Sequence, residues 1–393
     1  MHSLTPLPTF LPYARQSIGE QEGLAALEAL YGDWITRGPQ VAQFEERIAG
    51  YCSSQFAVAF SSGTAALAAA YFAGHLRKEM SFITTPNSFI ASLASPYQMG
   101  IQPYFVDIDR KSGHLDITLL PKLLAEIEPT QPICLTPVHF AGIALDMASL
   151  KTCVQDRPTL IIEDAAHAIG SFYPTGQKVG SCSFSDMTIF SFHPAKTITT
   201  GEGGMVTTND PVLYKRLKLF RDNGIERAPH HGHYPGYYEV HAVTGNFHMT
   251  SFQAAIGLKQ LLRIDEMIAK RRRLVQLYRS QLQQIPGVRL FSSEYDQRSA
   301  FPLFVVQIDF TKQKFSKKQF IEQLKMLNIG SQVHYIPLYQ HPIFAHSSES
   351  MAKHCPNMEM YYSQALSLPL YFDLQEEEVL QITKLIQQIL RSS

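Results

Sequence analysis

Two stretches, PICLTPV at 132–138 and TLIIEDA at 159–165, run apolar almost without a break. A strand with one wet face alternates apolar and polar residues, whereas a strand covered on both faces reads as a continuous apolar run. Around these two runs, further β-rich segments alternate with helical ones. FAVAF (56–60) feeds SSGTAALAAAYFAG (61–74), while SFITTP (81–86) and QPYFVDID (102–109) flank NSFIASLASPYQMG (87–100). Thr188, Ile189, Phe190 and Phe192 form another strand pattern, and Met205, Val206, Thr207 and Thr208 one more. This βαβα rhythm predicts an α/β fold on a mainly parallel, helix-flanked sheet.

Helical patterns precede it. SIGEQEGLAALEAL (17–30) opens with a capping box from Ser17 to Glu20, and QVAQFEERIAGY (40–51) sets Val41, Phe44, Ile48 and Tyr51 on one face. From about Met249 the rhythm changes. The stretch 251–285 reads as one long helix or two consecutive ones. FPLFVVQID (301–309), the helix SKKQFIEQLKML (316–327), SQVHY (331–335) and the amphipathic tail EEEVLQITKLIQQIL (376–390) predict a smaller C-terminal α/β domain. A chain of 393 residues is too long for one core, and the boundary is expected near residue 260, giving 1–260 and 261–393.

Lys plus Arg and Asp plus Glu are equal at 34 each, so no global field draws the chain to nucleic acid or to an anionic membrane. KRRRL (270–274) reads as the solvated face of a helix. Cys52, Cys134, Cys153, Cys182 and Cys355 form no CxxC pair and no zinc spacing, which suits a reducing compartment. The first residues lack a basic segment followed by an apolar one, and no apolar run reaches the roughly 20 residues that span a bilayer. A cytoplasmic protein is expected. His230, His231, His233 and His241 fit no familiar ligand set, so they read as a surface loop with no metal, or as a gate at a substrate mouth.

Three stretches at strand ends carry chemistry, since ligands of open α/β sheets bind at the carboxyl ends of strands. SSGTAAL (61–67) puts small residues where backbone amides can approach an anion at a helix N-terminus, or makes a plain tight turn. In TLIIEDAAHAIG (159–170) a buried strand ends on Glu163 and Asp164. Asp164 needs a donor partner there, or serves as a helix cap. TIFSFHPAKTITTGEGGMVTTND (188–210) holds Lys196 at the lip of the core, where desolvation favours the neutral amine unless the side chain snorkels out. An anion cradle, a buried acid and an edge lysine on one sheet are together what pyridoxal 5′-phosphate requires.

GPQVAQFEERIAGYC, SSGTAAL, TPNSFIAS, PVHFAG, IIEDAAHAIG and FSFHPAKTITTGEGGMVTTND resemble the DegT/DnrJ/EryC family of sugar-nucleotide aminotransferases over almost the whole chain. The resemblance implies a fold-type I pyridoxal-phosphate transferase, like aspartate aminotransferase, working as a homodimer. It implies Lys196 as the Schiff-base lysine and proton shuttle, Asp164 on the pyridine nitrogen, and His167 near the phenolic oxygen. Phe89 would stack on the cofactor ring. Gly63, Thr64, Ala65 and Ser191 would hold the phosphate, together with Asn246 supplied across the dimer interface. GNFHM (245–249) departs from the family pattern YNxRM, with Gly245 for the tyrosine and His248 for the arginine. A histidine there binds nucleotide phosphates more weakly and with a pH dependence.

SFHPAKTITTGEGGMVTTND and VHYIPLYQHPIF resemble most the branch that aminates UDP-4-keto-6-deoxy-N-acetylhexosamines, of the pseudaminic acid type, with L-glutamate as donor. Substrate contacts are expected from Glu202, His248 and His334, although Glu202 also suits a turn cap and His334 a plain strand end. His139 and His193 are expected to be local structural groups. Sugar dehydratases on the same scaffold carry a histidine in place of the lysine, so Lys196 favours amino transfer. A non-catalytic scaffold would keep no such set of polar groups.

Overall fold

The computed structural model describes residues 4–227, 234 and 236–391. Seven strands form the main sheet: β1 (Phe56–Phe60), β2 (Ser81–Thr84), β3 (Pro103–Phe105), β4 (Ile133–Thr136), β5 (Thr159–Asp164), β6 (Met187–Ser191) and β7 (Gly204–Thr208). Their order is β1-β7-β6-β5-β4-β2-β3. The pairs among β3, β2, β4, β5 and β6 are parallel, and β7 alone runs against its neighbours β1 and β6. The expected α/β fold with a mainly parallel sheet is therefore present. β2, β4 and β7 are buried at every position, which is why their sequences do not alternate.

Helices cover both faces. Pro39–Cys52 packs Val41, Phe44 and Ile48 against one core, and Gly63–Ala73 buries almost its whole surface in the other. The first helix departs from the sequence expectation. It spans Glu20–Tyr31 with Gly19 as its cap, whose N–H donates to the Glu22 carboxylate at 3.0 Å. Ser17 instead donates to Asp373 at 3.2 Å, so the serine that resembles a cap is a tether.

After the short pair β8 (Ile225–Glu226) and β9 (Glu239–Val240), the chain forms two helices, Ser251–Leu262 and Ile264–Leu282, separated at Arg263. A second sheet follows, β10 (Val288–Leu290), β11 (Phe304–Ile308) and β12 (Ala365–Leu368), antiparallel throughout. Its core joins the final helix, Glu376–Arg391, to Leu274, Val275 and Tyr278. Leu7 and Leu11 enter this core as well, with Leu7 and Leu11 N–H groups on the Leu327 and Asn328 carbonyls.

KRRRL is not a solvated face throughout. Arg271 is buried and donates to the Leu370 carbonyl at 2.9 Å and that of Phe301 at 3.3 Å, and Arg272 donates to Ser299 at 2.9 Å. The charges serve chain segments whose carbonyls lack strand partners. Among the described residues no helix is long and apolar enough to cross a membrane. His230, His231 and His233 lie outside the described residues. His241 lies 3.3 Å from Glu239 and 3.4 Å from Glu226.

Candidate active site

The carboxyl ends of β1, β2, β4, β5 and β6 share one edge of the sheet, because these strands point the same way. β7, being antiparallel, brings its first residue, Gly204, to that edge opposite Phe60 and Ser191. Close packing follows. A Cβ on Gly204 would lie 2.2 Å from the Ser62 carbonyl oxygen, and one on Gly63 would lie 2.8 Å from Ser191 Cβ. Only residues without a side chain let these backbones meet.

Ser62 caps the helix Gly63–Ala73, its hydroxyl accepting from Ala65 N–H at 3.1 Å. The Ala66 N–H bonds to the Ser62 carbonyl at 3.0 Å, leaving those of Gly63 and Thr64 without a described acceptor beside the Ser191 hydroxyl. Two free N–H groups at a helix N-terminus attract an anion.

β5 ends on Asp164, which is buried; its Oδ1 accepts from Ala166 N–H at 3.1 Å and its Oδ2 from Ser92 at 2.6 Å. Its neighbour Glu163 points to the other side of the sheet and is fully buried. It accepts from His139 Nε2 at 2.6 Å, Tyr173 at 2.7 Å, Thr188 at 3.1 Å, and Ser185. His139 Nδ1 accepts from Leu145 N–H at 3.0 Å, so the ring is committed within the fold. His193 is exposed, its Nδ1 accepting from Ala195 N–H at 3.2 Å.

Lys196 follows β6 in a loop pinned at several points. Phe192 N–H donates to Gly203, Thr199 donates to the Phe192 carbonyl at 2.8 Å, and Thr199 N–H reaches Gln260 at 3.2 Å. The Lys196 amine has no hydrogen-bond acceptor or ion-pair partner within the described residues. Burial lowers its pKa to about 8, opposed by the negative charge of Asp164. Burial, then the positive charge of Lys196 and the competing ring of His334, push His167 well below the ordinary histidine value. His167 is therefore neutral, with Nδ1 accepting from Ala141 N–H at 3.3 Å and Nε2 lying 3.2 Å from the Tyr335 hydroxyl. His334 is pushed down to about 3 by burial and by Lys196, and its Nδ1 lies 2.8 Å from Ser367.

Lys196 thus lies within electrostatic reach of Asp164, His167 and His334, and Gly63, Thr64 and Ser191 adjoin at the same edge. Phe89 stands 58% exposed, its ring 6.2 Å from that of Tyr335, an apolar face left open. Asn246 is exposed, next to Phe247, whose carbonyl accepts from Ser61 N–H at 2.8 Å. Glu202 is exposed on the turn before β7, its carbonyl accepting from Thr200 and Gln253. His248 lies apart from this group, with Nε2 2.6 Å from Asp222 Oδ1 and its ring largely buried. Asp222 is held below the usual carboxylate range; burial alone would raise it, but His248 and then Arg221 outweigh that. Ser92 and Tyr335 were not expected from sequence. The pair Ser88 and Ser92, four apart in an apolar turn, is the only signal that marks the former.

The model of the DegT/DnrJ/EryC1/StrS aminotransferase family matches residues 16–387. The chain belongs to this family. It is 34% identical over 388 residues to the spore coat polysaccharide biosynthesis protein SpsC of Bacillus subtilis, covering 98% of each chain. Among solved structures it is similar to Helicobacter pylori PseC, an aminotransferase involved in the biosynthesis of pseudoaminic acid, with a TM-score of 0.88, 27% identity, and 98% and 100% of the two chains covered. The PLP-form of the sugar aminotransferase Spr1654 from Streptococcus pneumoniae matches with a TM-score of 0.86 at 26% identity, over 98% and 99%.

The chain is accordingly an enzyme with the fold of the pyridoxal-phosphate-dependent aminotransferases, and pyridoxal 5′-phosphate is its cofactor. Amino transfer to a keto-sugar nucleotide is the general activity of the family. The residues present fit the cofactor. An unpartnered amine suits an aldehyde, a carboxylate with two donors and lone pairs to spare suits a protonated ring nitrogen, and the cradle at Gly63 suits a phosphate.

Proposed function

We propose that the enzyme moves an amino group from L-glutamate to the 4-keto carbon of a UDP-4-keto-6-deoxy-N-acetylhexosamine, a nucleotide-sugar reaction of the pseudaminic acid type. The observation that carries the chemistry is the meeting of a desolvated amine, Lys196, with the donor-held carboxylate of Asp164 at the sheet edge that also bears the Gly63 cradle. The choice of sugar is supported by the overall match to the Helicobacter pylori enzyme.

Bound pyridoxal phosphate supplies an electron sink for the pair released when a proton leaves carbon. In this reading Lys196 would tether the cofactor until an amino donor takes its place. Its freed amine would then take the α-proton, and a pKa near 8 leaves a usable fraction in the basic form near neutrality. Asp164 would pair with the ring nitrogen and hold a proton there. His167, neutral, would serve the phenolic oxygen. Phe89, exposed in the isolated chain, would cover one face of the ring. Gly63 and Thr64 offer N–H groups to the phosphate, Ser191 its hydroxyl, and Ala65 shapes the turn while its own N–H stays on Ser62.

The exposed Asn246 would complete the phosphate site of a second copy in a homodimer. Glu202 and His334 face the substrate side. His248 acts on the nucleotide only by leaving Asp222, so its contribution depends on that ion pair. Binding of the nucleotide, remote from the ketone, sets the ketone's position.

The test is to incubate the enzyme with L-glutamate and a panel of UDP- and dTDP-linked keto-sugars and to weigh the products. An aminated UDP-N-acetylhexosamine is expected. Amination confined to dTDP-linked or 3-keto sugars refutes the substrate assignment, and no amination of any sugar refutes the transfer itself.

A further inference from the structure

We propose that Ser92 is a positioning residue for Asp164, backed by Ser88 in a relay of two hydroxyls. The inference rests on the reading in which Asp164 faces the ring nitrogen of the cofactor.

Asp164 is 5% exposed, so the protein must supply what water would otherwise give its carboxylate. Two donors do so, Ala166 N–H on Oδ1 and the Ser92 hydroxyl on Oδ2. An ionised carboxylate only accepts, hence Ser92 spends its one proton on Asp164 and is free to accept another. Ser88 Oγ lies 2.5 Å from Ser92 Oγ and is therefore the donor in that contact. The chain runs Ser88 to Ser92 to Asp164, each hydroxyl polarised by the next, in a setting where all three residues are buried.

The relay is fixed at its middle. Tyr71 donates to the Ser92 carbonyl and lies 3.2 Å from the hydroxyl of Thr136, at the end of β4. Tyr71 belongs to the helix whose N-terminus is the Gly63 cradle. One helix therefore holds the anion end of the site and, through Ser92, the acid end. The turn between Ser88 and Ser92 also carries Phe89 on its open side, so a single turn sets both the ring's face and its nitrogen partner. A carboxylate with a donor on each oxygen is held in one orientation, with its remaining lone pairs left for a ligand. Without Ser92 one donor remains and the carboxylate can rotate.

Dissociation constants for two cofactors test this: pyridoxal phosphate, and an analogue with CH in place of the ring nitrogen, each titrated into enzyme resolved of its cofactor. Ser92→Ala should weaken pyridoxal phosphate about tenfold and the analogue less than about twofold. Ser92→Thr, which keeps the hydroxyl, should restore selectivity, and Ser88→Ala should lose roughly a third as much as Ser92→Ala on a logarithmic scale. If Ser92→Ala does not fold, by circular dichroism melting, Ser92→Cys replaces the hydroxyl by a weak donor of similar size, and the same selective loss is expected. Equal weakening of both cofactors, or of neither, while Asp164→Asn still discriminates between them, overturns the relay. Failure of Asp164→Asn to discriminate overturns the assignment of Asp164 beneath it.

Discussion

The state of the Lys196 amine can be measured without turnover. With a pKa near 8, about one amine in eleven is neutral at pH 7, against roughly one in three thousand for an ordinary lysine at 10.5. Burial should therefore make Lys196 roughly 300 times richer in nucleophile at that pH. The sign for stability is the opposite. Between pH 8 and 10.5 the unfolded chain binds more protons than the folded one, so the cofactor-free fold gains stability as pH rises through that window. Below pH 8 it carries a constant penalty of about 3 kcal/mol. The assay exposes cofactor-free enzyme to pyridoxal, which lacks the phosphate and so does not depend on the anion site. Imines are trapped by cyanoborohydride from pH 6 to 10.5, and labelled peptides are counted by mass spectrometry. A free lysine peptide, whose amine titrates at about 10.4, is the control. Labelling of Lys196 should rise about tenfold per pH unit and level off near 8, while that of the free lysine keeps climbing. Asp164→Asn removes the charge that holds the value up, so the Lys196 midpoint should move lower. Parallel curves for the two lysines, or a midpoint that rises in the Asp164 variant, would refute the reasoning.

Other outcomes follow from the same geometry. Lys196→Ala should abolish turnover while the protein still binds pyridoxal phosphate noncovalently, so borohydride should no longer fix the cofactor to the chain. Gly63→Ala places a Cβ 2.8 Å from Ser191 Cβ, and affinity for pyridoxal phosphate should fall about tenfold with that for pyridoxal unchanged, as read by equilibrium dialysis. Glu163→Gln puts an amide N–H₂ among buried donors. A loss of about 3 kcal/mol, seen as a fall of roughly 5 °C in melting temperature, is expected, with the Lys196 labelling midpoint unmoved.

The large sheet is legible because both its faces are buried, and continuous apolar runs such as Ile133–Thr136 have few other uses. The second sheet is legible only at β11, which lies inside FPLFVVQID. VRL and ALSL are three and four residues long, and β12 follows directly on the helix Pro356–Gln364. Such strands exist by pairing with β11 rather than by their own pattern. The Arg271 run misleads for a related reason. Charge spacing reports the helix face, but the carbonyls of Phe301 and Leu370 that need its protons come from segments far away in sequence. In the site, Lys196, Asp164 and the Gly63 turn are visible because each breaks a local pattern at a strand end. His248 is legible only as a departure from a family pattern, and its contact with Asp222 depends on tertiary packing.

Glu163 and Asp164 show how much of the chemistry depends on such packing. They are adjacent, both acidic and both buried, and nothing in TLIIEDA tells one from the other except the pleat that sends them to opposite faces. A carboxylate offers about four lone-pair sites. On Glu163 four side-chain donors fill them, from His139, Tyr173, Ser185 and Thr188. On Asp164 only Ser92 and Ala166 donate among the described residues, so capacity remains for a ligand that brings a proton of its own. A saturated acid can hold a fold together but has nothing to offer a cofactor, whereas a half-saturated one keeps acceptor sites for a group that brings a proton. In the proposed reading, the count of donors around each oxygen, rather than burial or charge, separates the acid that builds this fold from the one that would meet the cofactor.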